Sequence, residues 1–117
     1  MVILPDDAAA ISNMLTELAK TYDLILTTGG TGLGPRDVTA EATRTILDRE
    51  ALGIMEAMRS YGQRRTPFAM LSQGVAGVRG KSLIINLPGS PAGVEESMAA
   101  IFPGIFHAFP IMDGGGH

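Results

Sequence analysis

The sequence predicts a layered α/β domain built on a parallel sheet. Three observations predict it. Short apolar runs alternate with amphipathic stretches along the chain. One of these runs, Asp23 to Thr28, leads straight into a glycine cluster, as strands of α/β sheets do before a ligand loop. The length, 117 residues, holds one core and not two.

The elements follow in order. Val2 to Leu4 reads as a short strand or the end of one. Asp6, after Pro5, is placed to cap a helix whose buried face carries Ile11, Met14, Leu15 and Leu18. Asp23 to Thr28 is a continuous apolar run of the kind buried on both sides. Thr39 is placed to cap the next helix, with Glu41 favoured in its first turn by the helix dipole. Ile46 and Leu47, then Ile54, Met55 and Met58, keep helical spacing around a break at Gly53. Gln63 to Thr66 reads as a loop and Pro67 to Leu71 as one or two helical turns. Val75 to Val78 and Ser82 to Asn86 flank Arg79-Gly80-Lys81, the pattern of two strands joined by a tight turn. Ser90-Pro91 starts a helix, serine as cap and proline at the first helical position. Val94, Met98, Ile101 and Phe102 form its buried face. Pro103 kinks or restarts it, Ile105, Phe106 and Phe109 continue it, and the tail Gly114 to His117 frays.

Composition narrows the function. The net charge is -3 and the lysines are Lys20 and Lys81, so no basic stripe is available for a nucleic-acid backbone. With no cysteine there is no disulfide, thiolate metal site or cysteine nucleophile. No apolar run approaches the roughly 20 residues of a membrane helix. The expectation is a soluble, cytoplasmic protein. The methionines fit core faces, and His107 and His117 make no metal site without further ligands.

The segment Thr27 to Asp37 carries the most chemistry. Its glycines let the backbone approach a ligand, exposed N–H groups there can cradle an anion, and Thr28 and Thr31 add hydroxyl donors. It lacks the Gly-Lys-Ser/Thr ending of a P-loop and the spacing of a dinucleotide fingerprint. A glycine cluster can also do no more than turn a strand into a helix.

Thr27-Thr28-Gly29-Gly30-Thr31-Gly32 and Pro35-Arg36-Asp37-Val38-Thr39 resemble the signature of the molybdopterin-binding, MogA/MoaB-like family. Leu4-Pro5-Asp6-Asp7, Pro67 to Ser72, Ala76 to Gly80 and Asn86-Leu87-Pro88-Gly89-Ser90-Pro91 resemble its other motifs in the same order. The resemblance covers nearly the whole chain and is closest to the MogA-like module, including the copy fused behind a MoaC-like domain in some bacteria.

The resemblance implies a three-layer α/β/α sandwich with a mostly parallel sheet over residues 1–117, usually as a homotrimer. It implies Mg-ATP-dependent adenylylation of molybdopterin with release of pyrophosphate. Asp37 and Asp6 match the acidic positions tied to catalysis, and Asp37 is the candidate Mg²⁺ ligand. Thr28, Gly29, Gly30, Thr31, Gly32, Ser72, Pro88, Gly89 and Ser90 are the candidate substrate-binding residues. Structural roles stand beside these. Asp37 can hydrogen-bond its own loop, Asp6 can be a helix cap that Asp7 shares, and Ser72 can cap a turn. Pro88 to Ser90 can be an ordinary strand-to-helix turn. Arg36 and Arg79 can meet phosphates or stay solvated.

Two departures stand out. Gln73 occupies a position where the family usually has an arginine, which removes a fixed charge. Nothing here matches the family's first strand region, so the expectation is an N-terminally incomplete domain with reduced activity. The alternative function is a non-catalytic molybdopterin-binding or trimerisation module of a longer protein.

Overall fold

The computed structural model describes residues 3–5 and 7–114. The elements are α1 (Ala8–Ala19), β1 (Leu24–Thr28), α2 (Thr39–Ile46), β2 (Arg49–Glu50), α3 (Leu52–Gln63), β3 (Ala76–Arg79), β4 (Ser82–Leu87), α4 (Pro91–Ile101) and α5 (Ala108–Met112). Two 3-10 turns, Pro67–Leu71 and Gly104–His107, lie between them.

The strands form one sheet in the order β1-β4-β3-β2. β1 runs parallel to β4, from Leu24 opposite Leu83 to Thr28 opposite Leu87. β4 pairs antiparallel with β3, and β3 antiparallel with β2. The α/β class holds, but the sheet is mixed where a mostly parallel one was expected. The tight Gly80-Lys81 turn reverses the chain, and parallel strands need a long crossover that this turn cannot provide. β2 is too short to show any alternation in sequence.

Helices cover both faces. Ile11, Leu15, Ile25, Ala42 and Ile84 form a core beneath α1 and α2. Met55, Met58, Ala76, Leu83, Ile85, Leu87, Ile101 and Ile105 form the other, beneath α3 and α4. β4 is the strand shared by both cores, and all six of its residues are buried. Fully burying an aliphatic side chain such as Ile84 contributes roughly 2 kcal/mol, so β4 anchors the domain.

β1 differs from its sequence reading. It is an outer strand, with Ile25 and Thr27 buried and Leu26 36% exposed. The doubly buried strand is β4. A continuous apolar run shows that a strand can be buried on both faces; its neighbours decide whether it is.

Local signals fared unevenly. Ser90 caps α4, its Oγ accepting from the Gly93 N–H at 3.0 Å, with Pro91 in the first turn. Asp7 caps α1, its Oδ2 accepting from the Ala10 N–H at 2.9 Å. Val2 and Asp6 lie outside the described residues, and Ile3 and Leu4 have no strand conformation. Thr39 does not cap α2: it is the first helical residue, its side chain is buried, and Val38 precedes it without a side-chain bond. The break between α2 and α3 falls at 47–51, around β2, while Gly53 sits inside α3. Gln63 closes α3, so the connection begins at Arg64. α4 stops at Ile101, just before Pro103, whose ring removes a helical N–H. Of the tail, residues 115–117 lie outside the described residues.

Candidate functional site

The parallel pairing of β1 with β4 brings two carboxyl ends side by side. The Gly29 N–H donates to the Leu87 carbonyl at 3.1 Å, extending the ladder by one bond. The loops that follow then touch: a Cβ on Gly89 would lie 3.3 Å from Gly29 Cα. A side chain at 89 would press on the facing backbone, and at 29 the positive φ of 83° is what favours glycine. Carboxyl ends of adjacent strands are where open α/β sheets take ligands.

Gly29 and Gly30 both have positive φ, 83° and 70°. Gly30 packs against Thr39, whose N–H donates to the Gly30 carbonyl at 3.1 Å. The buried Thr39 thus holds the loop to the start of α2. Thr31 is buried, and its carbonyl accepts from the Gln73 N–H at 2.6 Å. Its Oγ1 lies 3.5 Å from Ser72 Oγ.

Asp37 folds back on its own loop. Its Oδ2 accepts from the Gly34 N–H at 2.9 Å, and its N–H donates to the Gly34 carbonyl at 3.1 Å. The structural role expected of Asp37 is therefore present. That bond uses one carboxylate oxygen.

Five of the predicted residues line one or other of two depressions. The larger, about 380 Å³, lies between α3, the Pro67–Leu71 turn and α4, and its lining includes Ser72, Pro88 and Ser90. The N-terminal turn of α4 borders it, where the positive end of the helix dipole favours anions. The smaller, about 250 Å³, is lined by Gly32, Asp37, Glu41, Arg44 and Gln73 among others. Thr28, Gly29, Gly30, Thr31 and Gly89 line neither; they build the wall on which the loops meet. Residues 72–73 separate the two, Ser72 on one side and Gln73 on the other.

Charge is sparse and partly committed. Asp37, Glu41 and Arg44 line the smaller depression, and Arg44 Nε already lies 3.1 Å from Glu50 Oε1. Arg79 serves structure: its Nη1 donates to the Ile46 carbonyl at 3.1 Å, at the end of α2. Arg36 is exposed on the Asp37 loop. Among the described residues, no group of three or more His, Cys, Asp or Glu is placed to hold a metal ion.

Sequence reasoning missed the roles of two residues. Asn86, buried at the end of β4, donates through Nδ2 to Thr27 and Thr43 and accepts from the Val75 N–H. An asparagine inside a strand of apolar residues was the available signal. Arg59, on α3, donates from Nε to the Ser72 carbonyl at 3.1 Å and from Nη2 to the Gly74 carbonyl at 3.0 Å. No spacing in the sequence points to that pairing.

Comparison with known proteins agrees with this geometry. Residues 1–107 match the family model described as "Probable molybdopterin binding domain". A molybdopterin adenylyltransferase of Helicobacter pylori (strain J99) is 40% identical over 114 residues, which is 96% of this chain and 65% of that protein. A molybdenum cofactor biosynthesis bifunctional protein of Chlorobaculum tepidum is 36% identical over 118 residues, 100% of this chain and 38% of that protein. The crystal structure of the molybdopterin biosynthesis enzyme MoaB from Thermus thermophilus superposes with a TM-score of 0.85 at 54% identity, covering 94% of this chain and 70% of that one. The chain spans less than two thirds of the length of these two curated relatives. The match over nearly all of its length, with the sheet and loops in the same fold, establishes that this chain belongs to the molybdopterin-binding domain family.

Proposed function

We propose that this domain acts in molybdenum cofactor synthesis as a molybdopterin adenylyltransferase. The observation that carries the reading is the junction of the Gly29–Gly32 loop with the Pro88–Ser90 loop, in a chain 40% identical to an enzyme of that name. The bond-making is simple. A terminal phosphate oxygen of molybdopterin attacks the α-phosphorus of ATP, a new P–O–P bond forms, and the bond to the β-phosphate breaks as pyrophosphate leaves. The attacking oxygen is already anionic, so no strong base is needed; positioning and charge neutralisation carry the rate.

Each candidate residue then has a task. Thr28, Gly29, Gly30, Thr31 and Gly32 hold the phosphate end of the pterin. Ser72, Pro88, Gly89 and Ser90 form the facing wall. Mg²⁺ arriving with ATP supplies positive charge at the phosphates, and Asp37 would hold it through the oxygen that Gly34 leaves open. A half-buried carboxylate that belongs to no group of three or more His, Cys, Asp or Glu among the described residues suits a magnesium ion that keeps its waters and phosphate ligands, not a resident metal. Asp6 is assigned a supporting catalytic role; it lies outside the described residues.

The assembly is assigned as a cytoplasmic homotrimer, in keeping with exposed apolar side chains such as Leu52, Phe68 and Met70. Fusion to a MoaC-like domain is in keeping with the bifunctional relative. Incubation with molybdopterin and Mg-ATP tests the activity: adenylylated molybdopterin and pyrophosphate should appear together. Absence of both would overturn it.

A second reading, a non-catalytic molybdopterin-binding or trimerisation module, is favoured by Gln73 and by the bond that occupies Asp37. Calorimetry separates the two, since a binding module shows pterin affinity without turnover.

A further inference from the structure

Arg59 stands apart from the loops described above, yet its side chain reaches between them. Its guanidinium spans two carbonyls, those of Ser72 and Gly74, that bracket Gln73. The residue between them donates its own N–H to Thr31, the last non-glycine residue before Gly32, at 2.6 Å. Three hydrogen bonds therefore join α3, through the 72–74 segment, to the glycine loop after β1. The same arginine lines the larger depression together with Ser72, where its neighbours include one carboxylate, Glu96.

We propose that Arg59 is a positioning residue for the phosphate-facing loop, holding the 72–74 segment so that the Gln73 N–H locks Thr31 in place. The fork geometry of guanidinium is what the position needs. Two carbonyls two residues apart are met by two donors at a fixed angle, which a lysine ammonium cannot reproduce from one nitrogen position. The contact to Thr31 runs through the backbone N–H of Gln73, so it operates with any residue at 73 other than proline. The catalytic consequence rests on the adenylyltransferase reading; the positional consequence does not.

The test uses Arg59→Lys and Arg59→Ala in the full chain, with Arg64→Ala, at an exposed arginine just past the end of α3, as control. Amide exchange followed by NMR reads the position directly. The Gln73 amide should exchange about ten-fold faster or more in both Arg59 variants, while the Ile84 amide, at the fully buried centre of β4, stays protected. With Mg-ATP and molybdopterin, kcat should fall about 10- to 100-fold with the KM for ATP nearly unchanged, the expected signature of a misplaced nucleophile. Millimolar ethylguanidinium should restore part of the Arg59→Ala turnover, and ethylammonium should not.

Unchanged exchange at Gln73 in both variants would overturn the proposal, as would equal rescue by both cations. If the wild-type chain gives no adenylylated product, the activity reading fails while the exchange measurement still decides the role of Arg59. Should Arg59→Ala fail to fold, Arg59→Lys carries the exchange and kinetic arms.

Discussion

Asn86 donates through Nδ2 to Thr27 Oγ1 at 2.9 Å, joining β4 to β1 by side chains one residue before the ladder ends at Leu87. The same amide reaches Thr43 on α2 at 3.1 Å, and its oxygen accepts from the Val75 N–H at 3.0 Å. One buried side chain thus ties together two strands, a helix and the segment leading into β3. Such a network is worth keeping only when every member is bonded, and here every member is.

Replacing Asn86 by leucine should destabilise the domain strongly. The substitution keeps the branching at Cγ but strands the Val75 N–H and removes the donor to both threonines. With unsatisfied buried groups costing roughly 1–3 kcal/mol apiece, a loss of about 3 kcal/mol or more is expected in urea unfolding. A loss below about 1 kcal/mol would show that water replaces the amide.

Asp37→Asn separates charge from shape. The amide oxygen can still accept from Gly34, so the loop should keep its turn. Turnover should fall on the order of 100-fold, by analogy with the loss of one transition-state contact, while pterin affinity measured by calorimetry changes little. Equal losses in both would mean that Asp37 serves the loop alone.

Gly30→Ala meets two penalties at once. Its φ of 70° disfavours any side chain, and a Cβ there would run into the Thr39 side chain. Gly80, with φ 59°, has open space around the same atom. Gly80→Ala should therefore cost only about 1–2 kcal/mol, the left-handed penalty itself. Gly30→Ala should cost more and should also weaken ligand binding, since the loop must shift to clear Thr39. Thermal unfolding of the two variants side by side makes the comparison.

Gln73→Arg tests the missing charge. The side chain at 73 lines the smaller depression with Asp37. A guanidinium there should tighten binding of Mg-ATP or pyrophosphate several-fold at low salt, with the gain shrinking as ionic strength shortens the screening length to about 8 Å. A gain that salt leaves untouched would point to packing and not to charge.

Much of the local structure was legible because its causes are local. Ser90-Pro91 announced α4 through cap chemistry, and Arg79-Gly80-Lys81 announced the hairpin through its turn. Where two side chains offered the same service, sequence could not choose: Asp7 caps α1, and Thr39, which looked like a cap, is buried under the glycine loop instead. β2 stayed hidden because two residues, Arg49 and Glu50, show no alternation and carry no apolar face.

The sequence by itself determined the α/β class, the family, and which loops carry glycine, threonine and aspartate, because those depend on residue type and spacing along one chain. Only the tertiary structure decided that β4 and not β1 is buried on both faces. It alone decided that the sheet is mixed, that Gly29 meets Gly89, and that Arg59 grips the segment beside Thr31. These are relations between segments distant in sequence, and they are fixed by packing, where one residue's environment is supplied by others whose order along the chain says nothing of their distance in space.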